Sequence, residues 1–218
     1  MLIVLAATAG THLGFYSVTY DIGSYAVKVD SVPAEEPLRI DKRLAFVGDV
    51  MLARNVESVQ KKYGENYIFE ALPDLSSTTV LVGNFESAIA KKHVQTENMN
   101  MSFSTPTSSL PALSTYGFRY LSLANNHSYD KGTENFYYTE EQIQSLGIAT
   151  FGDQKVSSST VNVVEVDGRK IGLIGVYAVP GMPDIKALAT EIEKATLQSD
   201  FQVAYVHWGT EYELIHSG

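Results

Sequence analysis

Four apolar segments of this chain each stop at polar residues of the kinds that bind metal ions and move protons. The clearest is residues 118–124, an apolar run of strand length. It is followed by two amides, an imidazole and a carboxylate: Asn125, Asn126, His127 and Asp130. Parallel strands open at their carboxyl ends into a crevice where α/β proteins bind ligands. These side chains are therefore predicted to lie at one edge of a sheet.

The same arrangement recurs in three other places. They are residues 44–48 before Asp49, residues 78–82 before Asn84 and Glu86, and residues 201–206 before His207. Carboxylate, amide and imidazole groups are ligands that hard and borderline divalent cations accept. A cation held there could polarise a phosphoryl or carbonyl oxygen, and a nearby imidazole could protonate a leaving group. The pattern favours one metal-assisted site.

Each residue also has a purely structural interpretation. The alternatives are a helix cap for Asp49, tight turns for Asn84 and Asn125, core positions for His127 and His207, a turn for Asp130, and a solvated helix start for Glu86. Four such coincidences at four strand ends are less probable than a single shared site.

Composition limits the classes of function. The chain has 218 residues, 44% of them apolar, which suits one globular domain with a sizeable core. Its net charge of −9 excludes the basic footprint that a nucleic-acid partner requires. It contains no cysteine, so disulfides, thiolate metal sites and thiol nucleophiles are excluded.

Residues 1–42 are predicted to be a leader and linker before a domain at residues 43–218. Residues 1–10 are apolar, yet no Lys or Arg precedes Lys28. Two interpretations stay open: a flexible or β-like leader, and the remnant of a membrane anchor or export signal. Residues 29–42 hold two prolines and mixed charge, which is typical of a linker.

Strands and helices alternate, which predicts an α/β fold with one antiparallel hairpin. Helices are predicted at residues 53–62, 68–75, 106–116, 132–146 and 184–197. A short strand is predicted at 148–151. Residues 161–166 and 170–177 are predicted to form a hairpin around Asp167-Gly168. The long polar loop at 91–105 is expected to be functional or mobile.

Four motifs together resemble those of a known family. They are Phe46-Val47-Gly48-Asp49-Val50-Met51, Gly83-Asn84-Phe85-Glu86, the segment ANNHSYDKG at residues 124–132, and His207-Trp208-Gly209-Thr210-Glu211-Tyr212. In order and spacing they resemble the CapA family of poly-γ-glutamate capsule-synthesis proteins, related to the calcineurin-like metallophosphoesterases. The resemblance covers residues 43–218. It implies a metallophosphatase-like four-layer α/β/β/α sandwich, here expected to be truncated after the His-Trp-Gly strand.

The resemblance also implies roles for individual residues. Asp49 matches the first metal-ligand Asp, Asn84 the metal-bridging position, and His207 a later metal-ligand His. Asn126 and His127 match an Asn-His pair whose histidine acts on the leaving group or phosphoryl oxygen. With the neighbouring carboxylates, the predicted catalytic residues are His127 and Asp130, and the predicted metal ligands are Asp49, Asn84, Glu86, Asn126 and His207.

Three departures from the phosphoesterase pattern predict a weakened site with one metal ion or none. Asp49-Val50-Met51 stands where the pattern has Asp-x-His, and Asn84 is neutral where the pattern has an Asp. The Gly-His-x-Pro-His segment of CapA proteins is absent before Gly218. The identity of the divalent ion stays open among Mn, Zn, Fe and Mg.

Three functions stay open. The first is a CapA-like role in synthesis, export or anchoring of poly-γ-glutamate through metal-assisted hydrolysis or transfer. The second is a plain metal-dependent phosphoesterase, and the third a non-catalytic, polymer-binding subunit. The neutral Asn84 and the missing histidine favour the third over the second.

The expected partners and location follow from the resemblance. They are an anionic polymer or phosphorylated substrate, a membrane ligase complex, and a membrane-associated place in the cell envelope. A polyanion needs a local positive patch on so acidic a protein. Lys91, Lys92 and Lys131 are candidates for that patch, although ordinary solvated lysines explain them better.

Overall fold

The computed structural model describes residues 16–19, 28–31, 43–72, 79–97, 100–155, 161–179 and 184–209. Its strands are β1 Tyr16–Thr19, β2 Lys28–Ser31, β3 Arg43–Val50, β4 Thr79–Phe85, β5 Phe118–Ser122, β6 Ala149–Phe151, β7 Asn162–Val166, β8 Arg169–Ala178 and β9 Phe201–Trp208. Its α-helices are α1 Asn55–Tyr63, α2 Leu110–Thr115, α3 Thr133–Gln144 and α4 Ile185–Gln198, and single 3-10 turns occur at Tyr67–Phe69 and Thr107–Ser109.

The first large sheet has the order β3-β4-β5-β6, and every neighbouring pair is parallel. Its register sets Asp49 beside Asn84, and Asn84 beside Ser122. Asp49 and Asn84 thus belong to the last residues of their strands rather than to the loops beyond. The carboxyl ends of β3, β4 and β5 meet at one edge, as the sequence predicts.

The second large sheet has the order β7-β8-β9. β7 and β8 form the predicted antiparallel hairpin, and its two turn residues, Asp167 and Gly168, have φ angles of 52° and 71°. Positive φ at both central residues is what the tight Asp-Gly hairpin turn requires. The helix α4 then returns the chain to β9, which runs parallel to β8 and pairs His207 with Tyr177.

Three apolar layers hold the sheets and helices together. Helices α1 to α3 cover one face of the first sheet through residues such as Leu113, Leu121 and Phe136. Val82, Phe151 and Leu173 pack between the two sheets, and Ile174 and Ala195 pack between the second sheet and α4. The order of layers is therefore α/β/β/α, and the predicted sandwich is confirmed.

The two sheets come into backbone contact at a pair of glycines. A Cβ atom built on Gly152 would lie 2.8 Å from the Cα of Gly175 and 2.9 Å from the Cβ of Ala124. Real Cβ atoms do not approach so closely, so neither glycine can carry a side chain without moving the backbone. Ala124 directly precedes Asn125, so this contact lies at the base of the predicted site.

One predicted helix is wrong and part of the leader lies outside the described residues. Of the predicted helix at 68–75, the described part, residues 68–72, contains only the end of the 3-10 turn Tyr67–Phe69, and residues 73–75 lie outside the described residues. The sequence agrees, because Pro73 disfavours helical geometry in the residue before it. In the leader, β1 and β2 pair antiparallel, and β2 overlaps the start of the predicted linker. Residues 1–15, 20–27 and 32–42 lie outside the described residues, so the domain boundary stays a prediction. Among the described residues, no helix is both long and apolar enough to cross a membrane.

Candidate metal and catalytic site

A buried amide joins the two sheets at the predicted edge. Asn84, 1% exposed, donates from Nδ2 to Asp49 Oδ1 at 2.7 Å. The same nitrogen lies 3.2 Å from His207 Nδ1. Asp49 belongs to the first sheet and His207 to the second, so Asn84 connects a carboxylate of one sheet with an imidazole of the other.

The orientation of Asn84 is fixed by its neighbour Asn125, which is fully buried. Asn125 Nδ2 donates to the carbonyl of Phe85 at 2.9 Å, and Asn125 Oδ1 accepts from the backbone N–H of His127 at 2.9 Å. Asn125 Nδ2 therefore also donates to Asn84 Oδ1, at 2.9 Å. With its oxygen bound there, Asn84 presents its NH2 group to Asp49 and His207.

His207 is held from both of its ring nitrogens. Its Nε2 lies 2.9 Å from Asn126 Oδ1, and its Nδ1 faces the NH2 group of Asn84. An amide N–H needs an acceptor, so the neutral tautomer that satisfies both contacts carries its proton on Nε2 and donates to Asn126. In this tautomer the Nδ1 lone pair accepts from Asn84, whereas a proton on Nδ1, in the charged imidazole, would face Asp49 Oδ1, 3.5 Å away.

Asp49, Glu86 and His207 form a set of donors that fits one metal ion. One donor atom from each lies within 4.8 Å of the other two. Two carboxylate oxygens and an imidazole nitrogen suit a borderline divalent cation, and three protein ligands leave positions for water or substrate. Asn126 Oδ1 lies next to this donor set, 2.9 Å from His207 Nε2. The predicted ligand role of Asn84 stays a prediction, and in this arrangement its NH2 group positions Asp49.

The electrostatics around Asp49 favour the ionised carboxylate. The His207 imidazole, within hydrogen-bonding range, lowers the pKa of Asp49 below its ordinary value, partial burial opposes this, and the Asn84 amide lowers it further. Nearby, burial raises the pKa of the Tyr205 phenol, and the charge of Asp49 adds to that effect. The protonated Tyr205 hydroxyl donates to the carbonyl of Val47, which ties β9 to β3.

His127 is held almost entirely by its own loop. Its Nδ1 lies 2.7 Å from Asp130 Oδ2, three residues further along the chain. The loop is folded by tight turns, in which the N–H of Asp130 donates to the carbonyl of His127 and Ser128 Oγ donates to the carbonyl of Asn125. With Nδ1 bound to Asp130, His127 turns Nε2 toward Glu86, whose Oε1 is 3.9 Å away.

Phe103 completes the support of His127 and was missed in the sequence. Its ring stacks on the imidazole with centroids 3.9 Å apart and an interplanar angle of 21°. Its backbone N–H donates to Asp130 Oδ2 at 2.6 Å. The one signal available was an aromatic residue inside the polar loop at 91–105, and nothing in that loop indicates which strand end it reaches.

The structure thus brings all seven predicted site residues together, although not at the edge of a single sheet: His207 comes from the second sheet and the other six from the first sheet and the loops that follow its strands. Asp49, Asn84, Glu86, Asn126 and His207 surround the gap between the sheets, with His127 beside them and Asp130 behind His127. Met51, which stands where the phosphoesterases have a histidine, accepts the backbone N–H of Ala53 at 3.2 Å through its sulfur. Its side chain therefore belongs to the turn after β3.

Two of the candidate lysines are engaged in structural contacts. Lys91 Nζ lies 2.7 Å from Glu134 Oε1. Lys131 Nζ donates to the carbonyl and the hydroxyl of Ser102, both at 2.9 Å. These contacts support the structural interpretation of Lys91 and Lys131 over a polyanion-binding patch.

Comparison with known proteins agrees with this geometry. Residues 43–217 match the family described as bacterial capsule synthesis protein PGA_cap. The chain belongs to the PGA_cap family. That match contains β3 to β9 and every residue of the candidate site, so the site belongs to the part of the chain that defines PGA_cap membership.

Two curated PGA_cap relatives come from bacilli. The chain is 31% identical over 195 residues to the capsule biosynthesis protein CapA of Bacillus anthracis, which covers 78% of this chain and 47% of that protein. It is 29% identical over 189 residues to the PGA biosynthesis protein CapA of Bacillus subtilis (strain 168), which covers 78% of this chain and 49% of that protein. The chain thus spans about half the length of the curated relatives that it matches.

Proposed function

We propose that this PGA_cap protein acts in the biosynthesis of a poly-γ-glutamate capsule, through metal-assisted hydrolysis or transfer at a phosphoryl or γ-amide centre. The family and the two CapA relatives support the capsule role. The observation that carries the chemistry is the convergence of Asp49, Glu86 and His207 within 4.8 Å, beside the Nε2 atom of His127.

Asp49, Glu86 and His207 are the residues that would hold the ion. When bound, a divalent cation would supply a Lewis acid and lower the pKa of a coordinated water. Asn84 donates to Asp49, and Asn126 accepts from His207, so each of these two ligands is oriented by an amide. Ligands held in this way keep their geometry before an ion arrives.

His127 is proposed as the group that moves a proton at the substrate. Asp130 accepts the Nδ1 proton and fixes the ring, so that Nε2 is free to exchange a proton with a leaving group. The stacked Phe103 covers one face of the ring and leaves His127 only 6% exposed. A shielded donor also stabilises a developing negative charge on a substrate oxygen more strongly than one in water.

A non-catalytic role is the second candidate, and one observation favours it. Asn84 is neutral and turns its NH2 group toward Asp49 and His207, which leaves fewer oxygen ligands than a two-metal site requires. In that role the same edge would bind the anionic polymer without turning it over.

The two candidates are separated by measuring divalent-metal content and hydrolysis of an aryl phosphate with the full-length protein. Bound metal with turnover that disappears in Asp49→Ala and His127→Ala supports the enzyme. Absence of metal together with intact polymer binding supports the subunit. Turnover that survives in both variants contradicts the proposed site.

We further propose a membrane-associated place in the cell envelope and a membrane ligase as partner. Support comes from the capsule role of the relatives, since a capsule polymer is assembled at the cell surface. Fractionation of cells that express the full-length protein, followed by cross-linking, tests both. Recovery in the soluble cytosolic fraction without a cross-linked membrane protein would contradict the proposal.

A further inference from the structure

Arg54 occupies a backbone position that normally belongs to glycine. It follows β3 and directly precedes α1, with φ 57° and ψ −128°. The N–H of Val56 donates to the carbonyl of Ala53 at 3.1 Å, which makes Arg54 the second residue of a four-residue turn. These angles are those of a type II′ turn, in which that position favours glycine because a Cβ atom is strained there.

Among the described residues, Asp167 is the other non-glycine residue with positive φ. Asp167 belongs to the hairpin turn, where Asp is a preferred residue. Arginine has no such preference for positive φ. Strained backbone of this kind concentrates at ligand-binding and catalytic positions, so the side chain of Arg54 is the feature to explain.

The side chain of Arg54 reaches the support of the catalytic histidine. Its guanidinium carbon lies 5.6 Å from the centroid of the Phe103 ring. Phe103 in turn stacks on His127 at 3.9 Å. Arg54 comes five residues after Asp49, in the loop at the carboxyl end of β3, so its guanidinium lies at the same sheet edge as the candidate metal ligands.

The charge of the site calls for a cation at this place. Asp49, Glu86 and Asp130 supply three carboxylates at the sheet edge, and the chain carries a net charge of −9. An anionic substrate is repelled by such a surface, and a fixed guanidinium would add to the attraction that a bound divalent cation supplies. Arg54 is a cation close to this edge, because its guanidinium lies over the Phe103 ring that stacks on His127.

We propose that Arg54 binds an anionic group of the substrate, a carboxylate or a phosphoryl group, and positions it beside His127. This inference rests on the proposed function and names the group that recognises the charge of the substrate. A guanidinium fits both anions because its planar fork donates two parallel hydrogen bonds, and its flat face packs on Phe103 at the same time. A lysine offers the charge without the fork.

The test is isothermal titration of the full-length protein with three probes. They are a short γ-linked glutamate oligomer, the same oligomer with its α-carboxyl groups converted to methyl esters, and inorganic phosphate. The variants are Arg54→Gln, Arg54→Lys and Arg54→Gly. The matched control is Arg169→Gln, since Arg169 makes a similar contact, 5.4 Å from the Phe201 ring, at the end of β8 opposite the site.

We expect Arg54→Gln to weaken binding of the anionic probe about 10- to 100-fold, as the loss of a charged, paired hydrogen bond does. Arg54→Lys should fall between Arg54→Gln and wild type, and Arg169→Gln should bind as wild type does. Arg54→Gly should lose binding while its unfolding midpoint stays at or above that of wild type, because glycine relieves the turn. The hydrogen bond from Gln95 to the backbone carbonyl of Arg54 is available in every variant.

The outcomes separate this inference from the proposed function. Loss of oligomer binding in Arg54→Gln, with the methyl ester already weak in wild type, identifies a carboxylate. Loss of phosphate binding alone identifies a phosphoryl group. If wild type binds a probe and Arg54→Gln binds it equally well, or if Arg54→Gly is destabilised but binds normally, the role of Arg54 is overturned and the proposed function stands. If wild type binds none of the probes, the proposed function and this inference fall together.

Discussion

His127 and His207 face the same carboxylate from different parts of the fold. Each places Nε2 3.9 Å from Glu86 Oε1. The partners of His127 lie in its own loop, apart from Phe103. The partners of His207 come from the other sheet, through Asn84 and Asn126. We infer that the first histidine is oriented locally and suits proton transfer, whereas the second depends on how the sheets meet and suits an ion that bridges them.

The largest effect should come from removing the histidine that spans the sheets. In His207→Ala the donor set loses its imidazole, and metal binding should be abolished. Wild type in metal at 100 times its dissociation constant should gain about 2.7 kcal/mol of unfolding free energy. The variant should gain none. Thermal unfolding with and without a chelator measures this, and a variant that is still stabilised by metal would remove His207 from the ligand set.

The next effect should come from His127→Ala, and it should leave the metal in place. Loss of the proton-transfer group is expected to lower turnover about 10²- to 10⁴-fold. Metal content should match that of wild type, because the ligands Asp49, Glu86 and His207 are untouched. The unfolding midpoint should fall without loss of the fold, because the truncation removes a buried, stacked imidazole. Retained turnover, or loss of metal together with turnover, would erase the proposed difference between the two histidines.

A smaller effect is expected from Asp130→Asn, which keeps the shape of the side chain and removes its charge. Residues that orient a functional imidazole contribute about 10- to 100-fold to activity, so kcat should fall by that amount with little change in KM. Ser102→Ala is the control, because Ser102 Oγ contacts the backbone carbonyl of Asp130 and Lys131 Nζ, and neither contact involves the Asp130 carboxylate. Equal losses in both variants would mean that the loop, and not the carboxylate, positions His127.

The smallest effect concerns the scaffold behind the His127 loop and depends on pH. Burial raises the pKa of Glu140 on α3, and the charge of Asp153 adds to this. A carboxyl whose pKa is higher in the folded state destabilises the fold as pH rises through that pKa. Glu140→Gln should therefore unfold at a higher temperature than wild type at pH 7 and show no such advantage below the ordinary carboxyl range. A constant difference across pH would exclude the charge as its cause.

The sequence predicted the elements that local patterns specify. The apolar runs ending in Asp49, Asn84 and His207 are strands, the first two neighbours in one sheet and the third in the other, and Asp167-Gly168 forms the tight hairpin turn. The order of the motifs indicated the family, and the family implied the sandwich.

Local sequence patterns do not predict contacts between distant segments. The direction of the Asn84 amide depends on Asn125, which in turn depends on the carbonyl of Phe85. The stacking of Phe103 on His127 depends on the path of a long polar loop. The turn at Arg54 has no sequence signal, because a non-glycine residue there contradicts the usual preference.

The glycine pair beneath the site has a consequence for the kind of ion that fits. Gly152 and Gly175 touch through their backbones, so the two sheets meet at a fixed point beside Ala124, the residue before Asn125. Asp49 and Glu86 lie at the strand ends of the first sheet, and His207 lies at the strand end of the second. We therefore expect the backbone distance between these two sets of donors to be fixed, so that a cation held by their side chains would be selected in part by its ionic radius.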